Sequence, residues 1–138
     1  MQTSKISDCK LLDLPKIHAE FGDITAINNL ELIPFEIKRV YYLYDVPNRA
    51  DRGAHGHKEL YQLIAAVSGS FDIELFDGVD KIKYTLNQPD QGLMIVPGIW
   101  RVLNNFSGGG ICLVLASHEY VRKDYIRNND KFLKWKFL

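Results

Sequence analysis

Apolar and polar residues alternate along most of this chain in short runs, punctuated by glycine, proline and Asn/Asp turns. A period of two, enriched in Val, Ile, Tyr and Phe, predicts strands rather than helices. Residues 10–14, 16–19 and 23–30 read as short strands broken by Pro15 and Gly22. The longest β-type run covers residues 37–46. Residues 61–67 and 71–76 flank Ser68-Gly69-Ser70, a hairpin turn, and Asp77-Gly78 leads on to a further strand at 81–86. Residues 93–96, 101–105 and 111–116 complete the series, with turns at Pro97-Gly98 and Gly108-Gly109-Gly110. Only residues 123–137 have helical character, and weakly. At least eight short strands spaced by about ten residues predict an all-β jelly roll, a barrel or sandwich of antiparallel strands with a short C-terminal helix.

Composition narrows the class without naming a function. A length of 138 residues fits one domain, 1–138, around a single core. With 46% apolar and 25% charged residues the chain is expected to be ordered and globular. No apolar run approaches the roughly 20 residues of a membrane helix, and residues 1–8 hold no signal-peptide core. A cytoplasmic protein with no membrane partner is the expectation. Seventeen basic residues balance seventeen acidic ones, which argues against a nucleic-acid partner. Cys9 and Cys112 are far apart and outside any metal spacing, and read as two free thiols.

The candidate chemistry lies in Arg52-Gly53-Ala54-His55-Gly56-His57-Lys58 and the apolar strand after it. Two histidines two apart on a strand project from one face. A second stretch, Gly92-Leu93-Met94-Ile95-Val96-Pro97-Gly98-Ile99-Trp100-Arg101, follows. Together they resemble the two cupin motifs, in which His-x-His, a carboxylate and a later histidine usually clamp a metal. Here Gln62 stands where the carboxylate is expected and Arg101 where the last histidine is expected. A guanidinium cannot ligate a metal and stays charged at any working pH. A divalent ion beside it would be repelled. The expectation is therefore no metal and no other cofactor, with the imidazoles left for acid–base work.

Five ordered segments make the resemblance more specific. Ile37-Lys38-Arg39-Val40-Tyr41-Tyr42, the His-Gly-His stretch, Pro97-Gly98-Ile99-Trp100, Leu115-Ala116-Ser117 and Asp124-Tyr125-Ile126-Arg127 are similar to the sugar 3,4-ketoisomerases. The similarity runs over about residues 16 to 135. It implies a metal-free cupin acting on dTDP-4-keto-6-deoxy-D-glucose and moving its ketone from C4 to C3. The product would supply a 3-aminotransferase in the making of 3-amino-3,6-dideoxy sugars of surface glycans. It also implies a homodimer whose N-terminal strands pair with the neighbouring subunit.

A ketone shift between adjacent carbons needs a base that can return a proton, and polar groups to steady the enediolate. By resemblance His55 is the carbon acid–base and His57 assists at oxygen or orients the sugar. The alternative for this pair is a hydrogen-bonded polar core. Arg39 and Tyr41 alternate with Ile37 and Leu43 on one expected strand face, suited to a barrel lining. Arg52, at a strand edge beside Gly53, is read either as a phosphate contact or as a solvated surface arginine. Lys58 falls on the face opposite the histidines and would reach the ligand only around an edge. Gln62, Trp100, Arg101 and Tyr125 complete the expected substrate contacts. So does Phe21, which stands before Gly22 where many family members carry Arg or Tyr. His18 and His118 read as surface residues. Phe21 and Arg101 are departures expected to bear on the C4 configuration, and the gluco product is favoured. A 3,5-epimerase of the same sugar, a metal-dependent cupin dioxygenase and a non-catalytic sugar-binding module are the competing readings.

Overall fold

The computed structural model describes residues 2–138. Twelve strands are assigned: β1 Lys10–Asp13, β2 Ile17–Ala19, β3 Gly22–Ile24, β4 Arg39–Leu43, β5 Arg52–His57, β6 Gln62–Ser68, β7 Phe71–Phe76, β8 Lys81–Leu86, β9 Gln91–Ile95, β10 Trp100–Asn104, β11 Ile111–Ala116 and β12 Tyr125–Ile126. One helix, α1 Asn129–Phe137, follows, with the Asn128 side chain capping its first turn by accepting from the Lys131 amide. The strands form two five-stranded sheets, β1-β9-β6-β11-β4 and β12-β5-β10-β7-β8, while β2 and β3 make a separate hairpin. Every pairing is antiparallel. This is the cupin jelly-roll sandwich that the strand pattern predicts.

Alternation explains the layers. Ile64 and Ala66 from β6, Ile73 and Leu75 from β7, Leu103 from β10 and Val114 from β11 point between the sheets into the main core. The opposite faces of β6, β9 and β11 carry Leu63, Met94 and Leu115, which pack under Leu14, Ile33 and Phe35 in a second cluster. A run such as Leu63-Ile64-Ala65-Ala66 is buried on both faces, which is why it reads as continuously apolar rather than alternating. Cys9 and Cys112 are both buried and unbridged.

Three boundaries differ from the sequence expectation. The strand expected over 23–30 ends at Ile24, and Leu30 takes a left-handed φ of 61° in the arm that follows. The long run at 37–46 contributes only Arg39–Leu43, because Asp45 turns the chain with φ of 54°. Ile37 therefore lies outside the strand and packs on the second cluster, not beside Arg39 in the barrel lining. The weak helical signal at 123–137 resolves into a 3-10 turn (Arg122–Asp124), the short β12 and α1. That split is what carries Asp124 and Tyr125 into the sandwich before the helix closes over its outside.

Candidate active site

The interior end of the sandwich is polar where the rest is apolar. On β5, His55 and His57 share the inner face, only 6% and 4% exposed. Gly56 between them faces outward, where a Cβ would stand 2.8 Å from the Phe132 ring of α1. Glycine there lets the helix lie directly on the strand that carries the histidines. Antiparallel pairing sets Arg101 of β10 opposite His55, and Tyr125 of β12 opposite His57. Gln62, at the start of β6 on the facing sheet, is 1% exposed.

These groups bond to one another. Asp124 Oδ2 accepts from His57 Nδ1 at 2.8 Å, and Asp124 Oδ1 accepts from the Glu59 amide at 2.6 Å. A proton on Nδ1 leaves His57 Nε2 as the lone pair of a neutral ring. Gln62 Nε2 donates to it at 3.1 Å, and His55 Nε2 stands 3.0 Å away. Arg101 Nη2 reaches His55 Nε2 at 3.2 Å and donates to the Tyr41 hydroxyl at 3.3 Å. Arg39 Nη1 donates to the Tyr125 hydroxyl at 3.2 Å, and its guanidinium lies over the Tyr41 ring. The Tyr125 ring in turn packs against both imidazoles, with centroids 4.9 Å and 4.4 Å away.

The cluster is held neutral at its histidines and is not self-satisfied. Burial, followed by the charges of Arg101, His57 and Arg127, pushes the His55 pKa down to about 2. Burial also lowers His57, against the hydrogen bond to Asp124, which raises it. The carboxyl of Asp124 stays below the usual range because His57 and the Glu59 amide bond its charged form, outweighing burial. Gln62 Oε1 and the Nε and Nη1 of Arg101 are buried with no hydrogen-bond partner in the fold. Orphaned donors and an acceptor inside an otherwise bonded cluster are groups placed for a ligand.

Stability should follow the imidazoles. The unfolded chain titrates its histidines near 6.5, whereas the native pKa values of His55 and His57 are depressed. Between those values the unfolded state binds more protons, so stability is full above about pH 6.5 and declines as pH falls. Thermal melts at stepped pH are expected to show a falling midpoint on acidification below neutrality. A flat profile from pH 7 to about pH 5 would contradict native neutrality of the pair.

The donor set does not suit a metal clamp. Among the described residues no group of three His, Cys, Asp or Glu side chains is arranged to hold a metal ion. The two imidazoles are accompanied by an amide and a guanidinium, and Arg101 Nη2 occupies the space beside His55 Nε2 where a cation would bind. Turnover is therefore expected to survive exhaustive dialysis against a strong chelator, measured with and without added zinc, iron or manganese. Loss on dialysis with recovery on one of these ions would overturn this account of the donor set.

Of the residues singled out in the sequence, the fold brings His55, His57, Arg39, Tyr41, Gln62, Arg101 and Tyr125 around one interior. It does not bring the others there. Trp100 alternates with Arg101 and so points out of the sheet, onto Phe132 of α1 at 5.6 Å. Arg52 is exposed at the start of β5. Lys58 is exposed just after β5, in an outer groove with Arg122, Arg127, Lys131 and Trp135. Phe21 sits at the turn of the β2–β3 hairpin, 96% exposed and outside this chain's cluster. Sequence reasoning missed Asp124. It lies 67 residues from His57 and its only signal was membership in the Asp124-Tyr125-Ile126-Arg127 run. His18 is exposed and pairs with Asp23, but His118 lies close to Asp124 and is only partly exposed.

Residues 7–136 match the family described as FdtA: WxcM-like, C-terminal. The chain belongs to that family. A relative from Aneurinibacillus thermoaerophilus named TDP-4-oxo-6-deoxy-alpha-D-glucose-3,4-oxoisomerase is 39% identical over 126 residues, 91% of each chain. The solved TDP-quinovose 3,4-ketoisomerase from Campylobacter jejuni is 48% identical with a TM-score of 0.88, covering 92% of this chain and 98% of that one. A histidine-to-asparagine variant of the 3,4-ketoisomerase from Thermoanaerobacterium thermosaccharolyticum, in complex with TDP-4-keto-6-deoxyglucose, is 38% identical with a TM-score of 0.91 and 93% coverage of both chains. The sugar 3,4-ketoisomerases are thus the enzymes to which this FdtA-family chain is related along nearly its whole length. Among the described residues, no helix of this family member is long and apolar enough to cross a membrane.

Proposed function

We propose that this enzyme moves the ketone of TDP-4-keto-6-deoxy-D-glucose from C4 to C3 through an enediol, by histidine acid–base chemistry. The observation that carries the reading is the buried His55–His57–Asp124 array beside an arginine whose Nε and Nη1 have no protein partner. A neutral base takes the C3 proton, which the C4 ketone acidifies. The C3–H electrons form the C3–C4 double bond, and the carbonyl electrons move onto O4. As the C3 hydroxyl gives up its proton and C4 and O4 each gain one, C3 is oxidised and C4 reduced, with no external electron acceptor.

His55 is the base at carbon, because it is held neutral and stands next to Arg101. Its low basicity in the buried cluster is offset when the enediolate forms, since the new anion faces the new imidazolium. His57, oriented by Asp124, serves the hydroxyl protons. Arg101 hydrogen-bonds the developing oxyanion at O4 and cannot itself act as the acid. Arg39, Tyr41, Gln62 and Tyr125 position the hexose. Incubating TDP-4-keto-6-deoxyglucose with the protein in heavy water and following it by NMR reports ketone position, labelling and configuration together. Ketone at C3 with deuterium at C4 is expected. Binding without ketone migration would favour a non-catalytic sugar-binding module, and labelling at C5 would favour a 3,5-epimerase.

The gluco product is the favoured outcome, for use by a 3-aminotransferase in the making of 3-amino-3,6-dideoxy sugars. The Campylobacter relative is named for TDP-quinovose, a 6-deoxyglucose. Replacing Arg101 by His, together with Phe21→Arg, adds a titratable acid near C4 and is expected to shift product toward the galacto epimer. Retention of gluco product alone in the active double variant would remove both residues from stereocontrol. A homodimer exchanging N-terminal arms is also proposed. It is supported by the exposed apolar side chains of Ile17, Phe21, Ile24, Leu30 and Leu32 on an arm whose hairpin joins neither main sheet.

A further inference from the structure

The histidine pair is almost wholly buried, yet the reaction moves protons. In a gluco product the C3 proton that leaves and the C4 proton that arrives are on opposite faces of the ring. One base cannot carry the same proton between them, so each turnover releases one proton from the cluster and draws another in. A buried cluster needs a route for that exchange.

Asp124 links the buried pair to a partly exposed side chain. Its Oδ2 accepts from His57 Nδ1 at 2.8 Å, and the same oxygen lies 3.8 Å from His118 Nε2. His118 Nδ1 donates to the Glu119 carbonyl at 2.9 Å, which fixes its neutral tautomer with the Nε2 lone pair toward Asp124. That Nε2 is buried and has no hydrogen-bond partner. The rest of the imidazole is not sealed: its side chain is 29% exposed. Asp124 and His118 together line a groove of about 520 Å³ with Lys58, Glu59, Val121 and Lys123. Proton transfer between them requires His118 to move from this 3.8 Å separation to hydrogen-bond length.

We propose that His118 is the outer end of a proton path, His55–His57–Asp124–His118, that connects the buried histidines to solvent during isomerisation. The path rests on the ketoisomerase reading for its use in turnover, though not for its existence. Outward, the proton taken from C3 makes His55 an imidazolium, which gives its Nε2 proton to His57 Nε2 across 3.0 Å. His57 passes its Nδ1 proton to Asp124 Oδ2, the carboxyl passes that proton to His118 Nε2, and the resulting imidazolium loses a proton to water in the groove. No bond to carbon other than C3–H is broken, and each relay group ends neutral or, for Asp124, as the carboxylate. Run in reverse as far as His57, the path restores its Nδ1 proton and frees its Nε2 proton for the enediolate oxygens, while C4 takes its proton from water on the opposite face and not from His55. His118 touches no reacting atom and acts as a positioning and relay residue.

Two variants, His118→Asn and His118→Gln, test the path, each checked for a native circular dichroism spectrum and melt. In turnover they are expected to lose about tenfold in kcat with KM unchanged, less than a group at the reacting carbon would lose. Free imidazole is expected to restore the rate saturably, and small buffers are expected to rescue in order of their pKa. Independently of turnover, NMR exchange of the His57 Nδ1 proton with water is expected to slow by about the same factor in both variants. Unchanged kcat and unchanged exchange would overturn the path, as would a lost kcat that no small base restores. A wild-type protein that exchanges through His118 but never moves the ketone would sink the ketoisomerase reading and leave the path standing.

Discussion

Replacing His55 by asparagine is expected to reduce kcat by about 10² to 10⁴, the span that a positioned acid–base group contributes. Asparagine keeps hydrogen-bonding ability near the Arg101 guanidinium but removes the base proposed to take the C3 proton. The fold should tolerate the change, because native His55 is already uncharged. Substrate affinity should change little, so the loss belongs in kcat rather than KM. Single-turnover NMR in heavy water makes the check stricter. Deuterium exchange at C3 should vanish together with ketone migration. Wild-type-like turnover, or C3 exchange that continues while migration stops, would remove His55 from proton abstraction.

Asp124→Asn is expected to have the second-largest effect, a loss of about 10³ in kcat. The equivalent change in a Ser-His-Asp triad costs roughly 10⁴ by imposing the wrong tautomer, and the role proposed for His57 is at oxygen rather than at carbon. The substitution is selective in its geometry. Its Oδ1 still accepts from the Glu59 amide, so the turn after β5 keeps its anchor. At the other position an amide replaces the oxygen that accepts from His57 Nδ1. His57 then takes the Nε2–H tautomer and can no longer accept a proton at the nitrogen facing His55. Losing the carboxylate also removes the interaction that raises the His57 pKa against burial, so its titration moves further down. Kinetics across pH and direct NMR titration of the imidazole check both parts. A variant with normal kcat, or one whose His57 titrates higher than before, would show that Asp124 does not hold this histidine.

Much of the architecture follows from local pattern. Period-two alternation, Ser68-Gly69-Ser70 and the Pro97-Gly98 turn place most of the core strands, because strand faces and tight turns are decided by neighbours in sequence. The His-Gly-His spacing alone puts two imidazoles on one inner face, and Arg101 in place of a histidine is legible as a non-ligand from its chemistry. Alternation also implies that Trp100 and Arg101 cannot share a face. The structure sends Trp100 to the helix and Arg101 to His55.

Tertiary structure alone decided which distant residues complete the cluster. Asp124 meets His57 across 67 residues because a 3-10 turn and a two-residue strand, neither with a periodic signature, dock on the edge of β5. The strand end at Leu43 goes with the left-handed conformation at Asp45, and neither that end nor the one at Ile24 is encoded by alternation. His118 reads as a surface residue from sequence. Its place beside Asp124 depends on how the chain leaves β11 and turns back toward β12. Sequence by itself determined the strands, the inner face and the types of side chain that face it. Pairing between strands remote in sequence decided the contacts, and with them the charge state of every histidine in the site, because burial and opposed charges are properties of the assembled sandwich.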